Sequence, residues 1–362
     1  MAVPLFDTRT PLAPLRESLH AKAAEVLDGG RYILGPEVSA FEQELAHYLA
    51  VPTVLGVANG TDALVLALRA MGVGPGDDVV VPSFTFYASA EAVAVIGANP
   101  VFCDVDPYTF CVTPETVRAA LTPGTRAVIA VHLFGNVAPV AELEALGVPV
   151  LEDAAQALGS RAAGGRMAGT LGTAATFSFF PSKNLGAFGD GGAIATRDDT
   201  LAEAVAMLRF HGSRDKVSFE LVGHNSRLDE LQAALLRLVL PHLDAWCDGR
   251  RAAAARYAEA GLGELVALPE PVDGCDPAWH LYVIRHERSD ALAEALAAAG
   301  IGSKAYYRVP LHRQAAMRPW SDVELPGTDE AARTHLAIPM SPVLTSEQAA
   351  EVVAAVRDAY LG

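Results

Sequence analysis

From about residue 53 the chain alternates short apolar runs with amphipathic segments. TVLGVA (53–58) predicts a strand, and TDALVLALRAMG (61–72) spaces its apolar residues as a helix does. DDVVVP (77–82) is the next strand, and SFTFYASAEAVAVIG (83–97) reads as a helix. The alternation continues through PVFCDV, PETVRAAL, RAVIAVHLFG, PVAELEAL and VPVLED. Regular strand–helix alternation predicts a mostly parallel sheet covered by helices on both faces. ATFSFFP (175–181) and GGAIATR (191–197) follow too closely for a helix between them, which predicts adjacent, hairpin-like strands.

Beyond LDELQAALLRLVL (228–240) the pattern changes. Ala and Arg dominate a long helical stretch through Asp244 to Ala260, and EPVDGCDP reads as a loop. WHLYVIRH predicts a strand, and SDALAEALAAAG and TSEQAAEVVAAVRDAYLG predict helices. The expected organisation is a large α/β domain over 1–243, with an N-terminal arm, and a smaller α+β domain over 244–362.

Composition narrows the partners. A net charge of -16, with no basic run longer than two residues, argues against nucleic acid or an anionic membrane surface. An anionic small molecule stays open, because it needs only a local cluster of donors. The four cysteines form no C-x-x-C pair and no Cys/His zinc spacing, so neither a disulfide scaffold nor a metal site is implied. MAVPLFDTRTPLAPLRESL lacks a basic region followed by an apolar one, and no uncharged apolar stretch has the length of a membrane span. A cytoplasmic protein is expected.

Open α/β sheets bind ligands beyond the carboxyl ends of their strands, so residues that follow the apolar runs are the candidates. In VANGTDAL (57–64), Gly60 and Thr61 stand between a strand and a helix, where free N–H groups and the helix dipole favour an anion. Thr61 is equally suited to cap that helix. Neither G-x-G-x-x-G nor G-x-x-x-x-G-K-[ST] occurs, so dinucleotide and P-loop readings lack their fingerprints. In VPVLEDAAQALGS (148–160), Asp153 ends a strand and Gln156 follows one turn later; a buried acid there needs a partner, unless it only caps the next helix.

The third candidate is a lysine. The chain has four, Lys22, Lys183, Lys216 and Lys304, and only Lys183 closes an aromatic strand, in FSFFPSKNLGAFGDGGA (177–193). An apolar wall lowers an ammonium pKa and makes the amine a usable nucleophile, whereas an ordinary lysine reaches solvent. A phosphate cradle, a strand-end aspartate and a strand-end lysine thirty residues later together meet the needs of pyridoxal 5'-phosphate. The lysine forms its Schiff base, and the aspartate keeps its pyridine nitrogen protonated so that the ring draws electrons.

These residues resemble the DegT/DnrJ/EryC1/StrS family of sugar aminotransferases, pyridoxal phosphate enzymes of the aspartate-aminotransferase fold. The resemblance runs from GRYILGPEVSAFE through NGTDAL, VPSFTFYASA, EDAAQALGS, FSFFPSKNLGAFGDGGA and HNSRLDELQAALL to YYRVPLHRQ. It implies that Lys183 carries the cofactor, that Asp153 pairs with the pyridinium and that Gln156 bonds the ring hydroxyl. It implies further that Phe86 stacks on the ring, and that Gly60, Thr61, Asp62 (through its N–H) and Ser178 hold the phosphate. Asn225 would reach the phosphate from the other subunit of a homodimer. Each of Phe86, Ser178 and Asn225 has a plain structural alternative: core packing, a buried strand face, a turn. For the substrate the resemblance points to Tyr307 and His312, with Arg214 facing a diphosphate and Tyr32 in a loop near the cleft.

The implied reaction moves an amino group, typically from L-glutamate, to a ketone on a nucleotide-linked deoxysugar. KNLGAFGDGGA, HGSRDK and NSRLDELQ look most like enzymes that aminate C3 of dTDP-linked 3-keto-6-deoxyhexoses in deoxyaminosugar biosynthesis, for antibiotics or polysaccharides. Amination at C4, or of a UDP-linked 3-keto sugar, is the alternative. Sugar dehydratases of the same fold carry histidine in place of the lysine. A non-catalytic regulatory member of the fold would not need Lys183, Asp153 and Gln156.

Overall fold

The computed structural model describes residues 3–361. Seven strands form one sheet: β1 (Thr53–Val57), β2 (Asp78–Pro82), β3 (Asn99–Cys103), β4 (Thr125–Val131), β5 (Val150–Asp153), β6 (Ala174–Ser178) and β7 (Gly192–Thr196). Their order is β1-β7-β6-β5-β4-β2-β3. The strands from β3 across to β6 are parallel neighbours, and β7 runs antiparallel to both β6 and β1. Strands β4 to β7 are buried almost throughout, because helices cover both faces, and this is why their sequences read as unbroken apolar runs. The closely spaced pair at 175–197 forms β6 and β7, with Ala174 opposite Thr196.

A second sheet pairs β8 (Tyr282–Arg285) antiparallel to β9 (His335–Ile338). Leu281, Val283, Leu311, Met317 and Ala337 from this later part of the chain join the apolar core beneath the seven-stranded sheet. Tyr257, Tyr282, Leu336 and the helix Ser346–Leu361 form a second core. Among the described residues no helix is long and apolar enough to cross a membrane.

The segment 83–97 departs from the expected helix, which forms only over Ala88–Val95. Ser83 has its backbone committed elsewhere: its N–H donates to Cys103 O and its carbonyl accepts from Leu311 N–H. Residues 83–87 therefore leave β2 as a bend, and Phe86 is turned outward, 58% exposed.

The segment that precedes the sheet is held by one buried carboxylate. Glu230 Oε1 accepts the N–H groups of Gly35 and Val38 at 2.7 and 2.8 Å, and Oε2 accepts that of Glu37 at 3.0 Å. It thereby supplies the helix Pro36–Leu49 with partners for its otherwise free N-terminal N–H groups. A Cβ on Gly35 would lie 2.5 Å from that carboxylate and would push it away from the N–H groups it accepts.

Candidate active site

The carboxyl ends of β1, β5 and β6 open on a cavity of about 990 Å³. Its wall includes Gly60, Thr61, Asp62, Phe86, Asp153, Gln156, Ser178, Lys183 and Tyr307.

One end of the cavity is the start of the helix Gly60–Ala70. Asn59 caps it by accepting the Asp62 N–H at 2.8 Å. That bond occupies the Asp62 N–H expected to face a phosphate, and it leaves those of Gly60 and Thr61, which precede any intrahelical partner. A Cβ on Gly60 would stand 2.8 Å from the Ser178 Cβ, so only glycine lets the helix start come this close to the end of β6. The Ser178 hydroxyl accepts the Phe180 N–H at 3.3 Å and keeps its own proton to give. Two N–H groups and a hydroxyl at a helix N-terminus form a cradle for a phosphate.

Asp153 ends β5 in the cavity floor, 6% exposed. No helix follows it for its side chain to cap: residues 155–159 form turns. Its Oδ2 accepts the Ser89 hydroxyl at 2.9 Å and Oδ1 the Ala155 N–H at 3.3 Å. Burial pushes its carboxyl above the ordinary value, against the pull of those two donors and of the Lys183 charge.

Lys183 sits in the turn after β6, fixed by its own N–H to Phe180 O and by Asn184 Nδ2, which donates to Leu158 O and Ala278 O. Burial lowers its ammonium to about 8, with the Asp153 charge opposing. At pH 7 about a tenth of Lys183 is then the neutral, nucleophilic amine, where an ordinary lysine would offer less than a thousandth. Lys304 lines the same cavity but is exposed, over the ring of Tyr306 at 4.9 Å.

Gln156 is held at both ends of its amide. Oε1 accepts the Phe134 N–H at 2.8 Å, and Nε2 donates to the Tyr307 hydroxyl at 3.1 Å. Phe86, turned outward at the rim, is a cavity wall and no part of the core.

Four of the residues singled out in the sequence lie off this cavity. His312 is buried, its Nδ1 2.6 Å from Ser83 Oγ, where it ties the C-terminal segment to the end of β2. Arg214 is a surface side chain paired with Glu203 and Glu220. Tyr32 is half exposed, and its hydroxyl donates to Leu27 O. Asn225 is exposed on the strand-like segment that bridges to Phe210. Conversely, Ser89, Phe134, His280 and Phe6 shape the cavity or its polar contacts without having been singled out. Ser89 stands in the quoted stretch VPSFTFYASA, where its place on the inner face of a helix was the only signal.

The chemistry of this donor set fits pyridoxal phosphate: a phosphate cradle, a buried carboxylate that needs a cation, an amine of lowered pKa and an exposed aromatic ring in the same cavity wall. No group of three or more His, Cys, Asp or Glu among the described residues is arranged for a metal ion.

Comparison with known proteins points the same way. The family model described as "DegT/DnrJ/EryC1/StrS aminotransferase family" matches residues 14–357. The chain is 46% identical to the dTDP-3-amino-3,4,6-trideoxy-alpha-D-glucose transaminase of Streptomyces venezuelae, over 98% of this chain and 96% of that protein. It is 44% identical to the UDP-N-acetyl-3-dehydro-alpha-D-glucosamine 3-aminotransferase of Acidithiobacillus ferrooxidans, over 98% and 97%. Among solved structures, S. venezuelae DesV superposes with a TM-score of 0.95 at 45% identity, covering 99% of this chain and 98% of that one.

Proposed function

The chain belongs to the DegT/DnrJ/EryC1/StrS aminotransferase family, and from that premise we propose that it transfers an amino group from L-glutamate to the C3 ketone of a dTDP-linked 3-keto-6-deoxyhexose. It is a pyridoxal phosphate-dependent sugar aminotransferase. The observation that carries the reading is Lys183 and Asp153 converging, as amine and buried acid, on the cavity that opens at the strand ends.

Pyridoxal phosphate, when bound, supplies a conjugated ring that draws electrons from the carbon bearing the nitrogen. Everything else is done by the chain. Gly60, Thr61 and Ser178 would hold the phosphate, Phe86 would cover one face of the ring, and Asp153 would keep the pyridine nitrogen charged. Lys183 Nζ takes the proton from the nitrogen-bearing carbon of the donor and returns one to C3 of the sugar. A lysine with a pKa of about 8 suits both directions of that transfer.

The two relatives aminate sugars carried on different nucleotides, and both names place the nitrogen at C3. That agreement supports C3 more firmly than it supports dTDP. The deciding experiment offers the purified enzyme dTDP-3-keto, dTDP-4-keto and UDP-3-keto sugars with L-glutamate and locates the new nitrogen by NMR. Nitrogen at C3 of the dTDP-linked sugar is expected. Nitrogen at C4 alone sinks the regiochemistry, and turnover of only the UDP sugar sinks the choice of nucleotide.

We place the enzyme in the cytoplasm, a reading supported by its four free cysteines. A homodimer with shared sites is supported by the surface around Asn225, where Val217, Phe219, Leu221 and Val222 are all exposed. Asn225 of the partner subunit would then complete the phosphate cradle. Mixing Asn225→Ala and Lys183→Ala chains is expected to restore activity that neither has alone, because a mixed dimer holds one intact site. Mixtures no more active than the Asn225→Ala chain would show that each site is built from one subunit.

A further inference from the structure

The Gln156 amide cannot turn over. Its Oε1 accepts the Phe134 N–H, offered by a backbone in the left-handed region (φ 60) just beyond β4, so an NH2 in that place would face another donor. Nε2 must therefore be the atom beside Tyr307, donating to its hydroxyl oxygen at 3.1 Å. Two protons follow from this arithmetic. One N–H of Gln156 remains unspent, and the Tyr307 hydroxyl, having accepted, still has its own proton to give. No acceptor for that proton lies within hydrogen-bond distance among the described residues.

The Tyr307 ring is not free to swing away. It is stacked on Phe134 at 5.9 Å and 9°, and Phe84 meets it edge-on at 5.6 Å and 89°. Its backbone N–H donates to His335 Nε2 at 3.3 Å. Burial holds the hydroxyl well above the ordinary phenol value, so it keeps its proton across the working range of pH. Gln156 and Tyr307 thus hold two unspent protons on atoms 3.1 Å apart, in the wall that also holds Asp153 and Lys183. One oxygen about 3 Å from each would satisfy both.

We propose that the Tyr307 hydroxyl is a second hydrogen-bond donor to the ring oxygen of the cofactor, the oxygen that Gln156 faces. The inference rests on pyridoxal phosphate occupying this cavity with its ring hydroxyl at Gln156. It moves Tyr307 from the substrate role that the family resemblance implies to cofactor recognition. Paired donors at one oxygen favour the form of the cofactor in which that oxygen carries most negative charge, which is the deprotonated form. The pH at which the bound cofactor changes colour is therefore set low.

Tyr307→Phe keeps the stacked ring and removes only the hydroxyl. The absorption midpoint of the bound cofactor should rise by about one to two pH units, the size of a hydrogen bond to a charged group. Affinity of the apo protein for pyridoxal phosphate should fall about tenfold. The analogue lacking the ring hydroxyl, 3-deoxypyridoxal phosphate, should bind wild type and Tyr307→Phe equally. An unmoved midpoint with a raised KM for the keto sugar would assign the hydroxyl to the substrate and overturn the inference, as would a tenfold preference for wild type that persists with the analogue. A wild-type protein that takes up no pyridoxal phosphate would instead overturn the function on which the inference stands.

Discussion

Lys183→Ala should lower transamination by about 10⁴-fold or more, because it removes both the nucleophile and the proton carrier. The variant keeps Gly60, Ser178, Phe86, Asp153 and Gln156, so it should still take up pyridoxal phosphate, now without a covalent link. Borohydride should attach the cofactor to wild type and leave the variant unlabelled. The credible rival is Lys304, which lines the same cavity, and a label on Lys304, or activity within tenfold of wild type, would sink the assignment. The lowered ammonium adds a pH signature. Below about 8 the free amine is mostly protonated and cannot attack, and above it the amine is mostly neutral. Capture of added cofactor by the apo protein should therefore quicken as pH rises through about 8 and level off beyond. A midpoint near 10, where an ordinary lysine titrates, would mean that the cavity does not shift this group.

What could be read in the sequence, and what could not, divides along the range of the interactions. The parallel sheet was legible because strands buried on both faces must be apolar throughout. Gly60, Asp153 and Lys183 were legible as candidates because Asp153 ends an apolar strand and the other two follow one within a few residues, and the region beyond the strand ends in this architecture faces the ligand cavity. Contacts made across the fold left no local mark. The Ser89 bond to Asp153 spans 64 positions, and the Tyr307 bond to Gln156 spans 151. The left-handed turn at Phe134 uses a residue type that gives no warning of positive φ. His312 shows the opposite case. The resemblance of YYRVPLH placed it near the substrate, yet the fold ties it to Ser83, 229 positions away. The helix read over 83–97 failed at its start for the same reason, since Leu311 takes the carbonyl of Ser83.

Asp153→Asn separates charge from shape at the cavity floor. Asparagine keeps the size of the side chain; its carbonyl oxygen can accept the Ala155 N–H while its NH2 donates to the Ser89 hydroxyl oxygen. It cannot hold a pyridinium proton, because a neutral amide offers no charge to balance one. Without that proton the ring draws electrons poorly, and kcat should fall by about 10² to 10⁴-fold while uptake of the cofactor weakens only modestly. Stability of the apo protein should move the other way. The raised carboxyl of Asp153 means that folding disfavours its charged form, so this residue costs stability above the unfolded carboxylate value and costs nothing well below it. Apo Asp153→Asn should therefore melt no lower than apo wild type at pH 7, and the difference should vanish in acid. A calorimetric series across pH, run beside the kinetics, tests both halves. If kcat stays within about threefold of wild type, Asp153 does not govern the ring nitrogen. If the apo variant is instead the less stable, the buried carboxylate contributes to folding and its burial carries no cost to the apo protein.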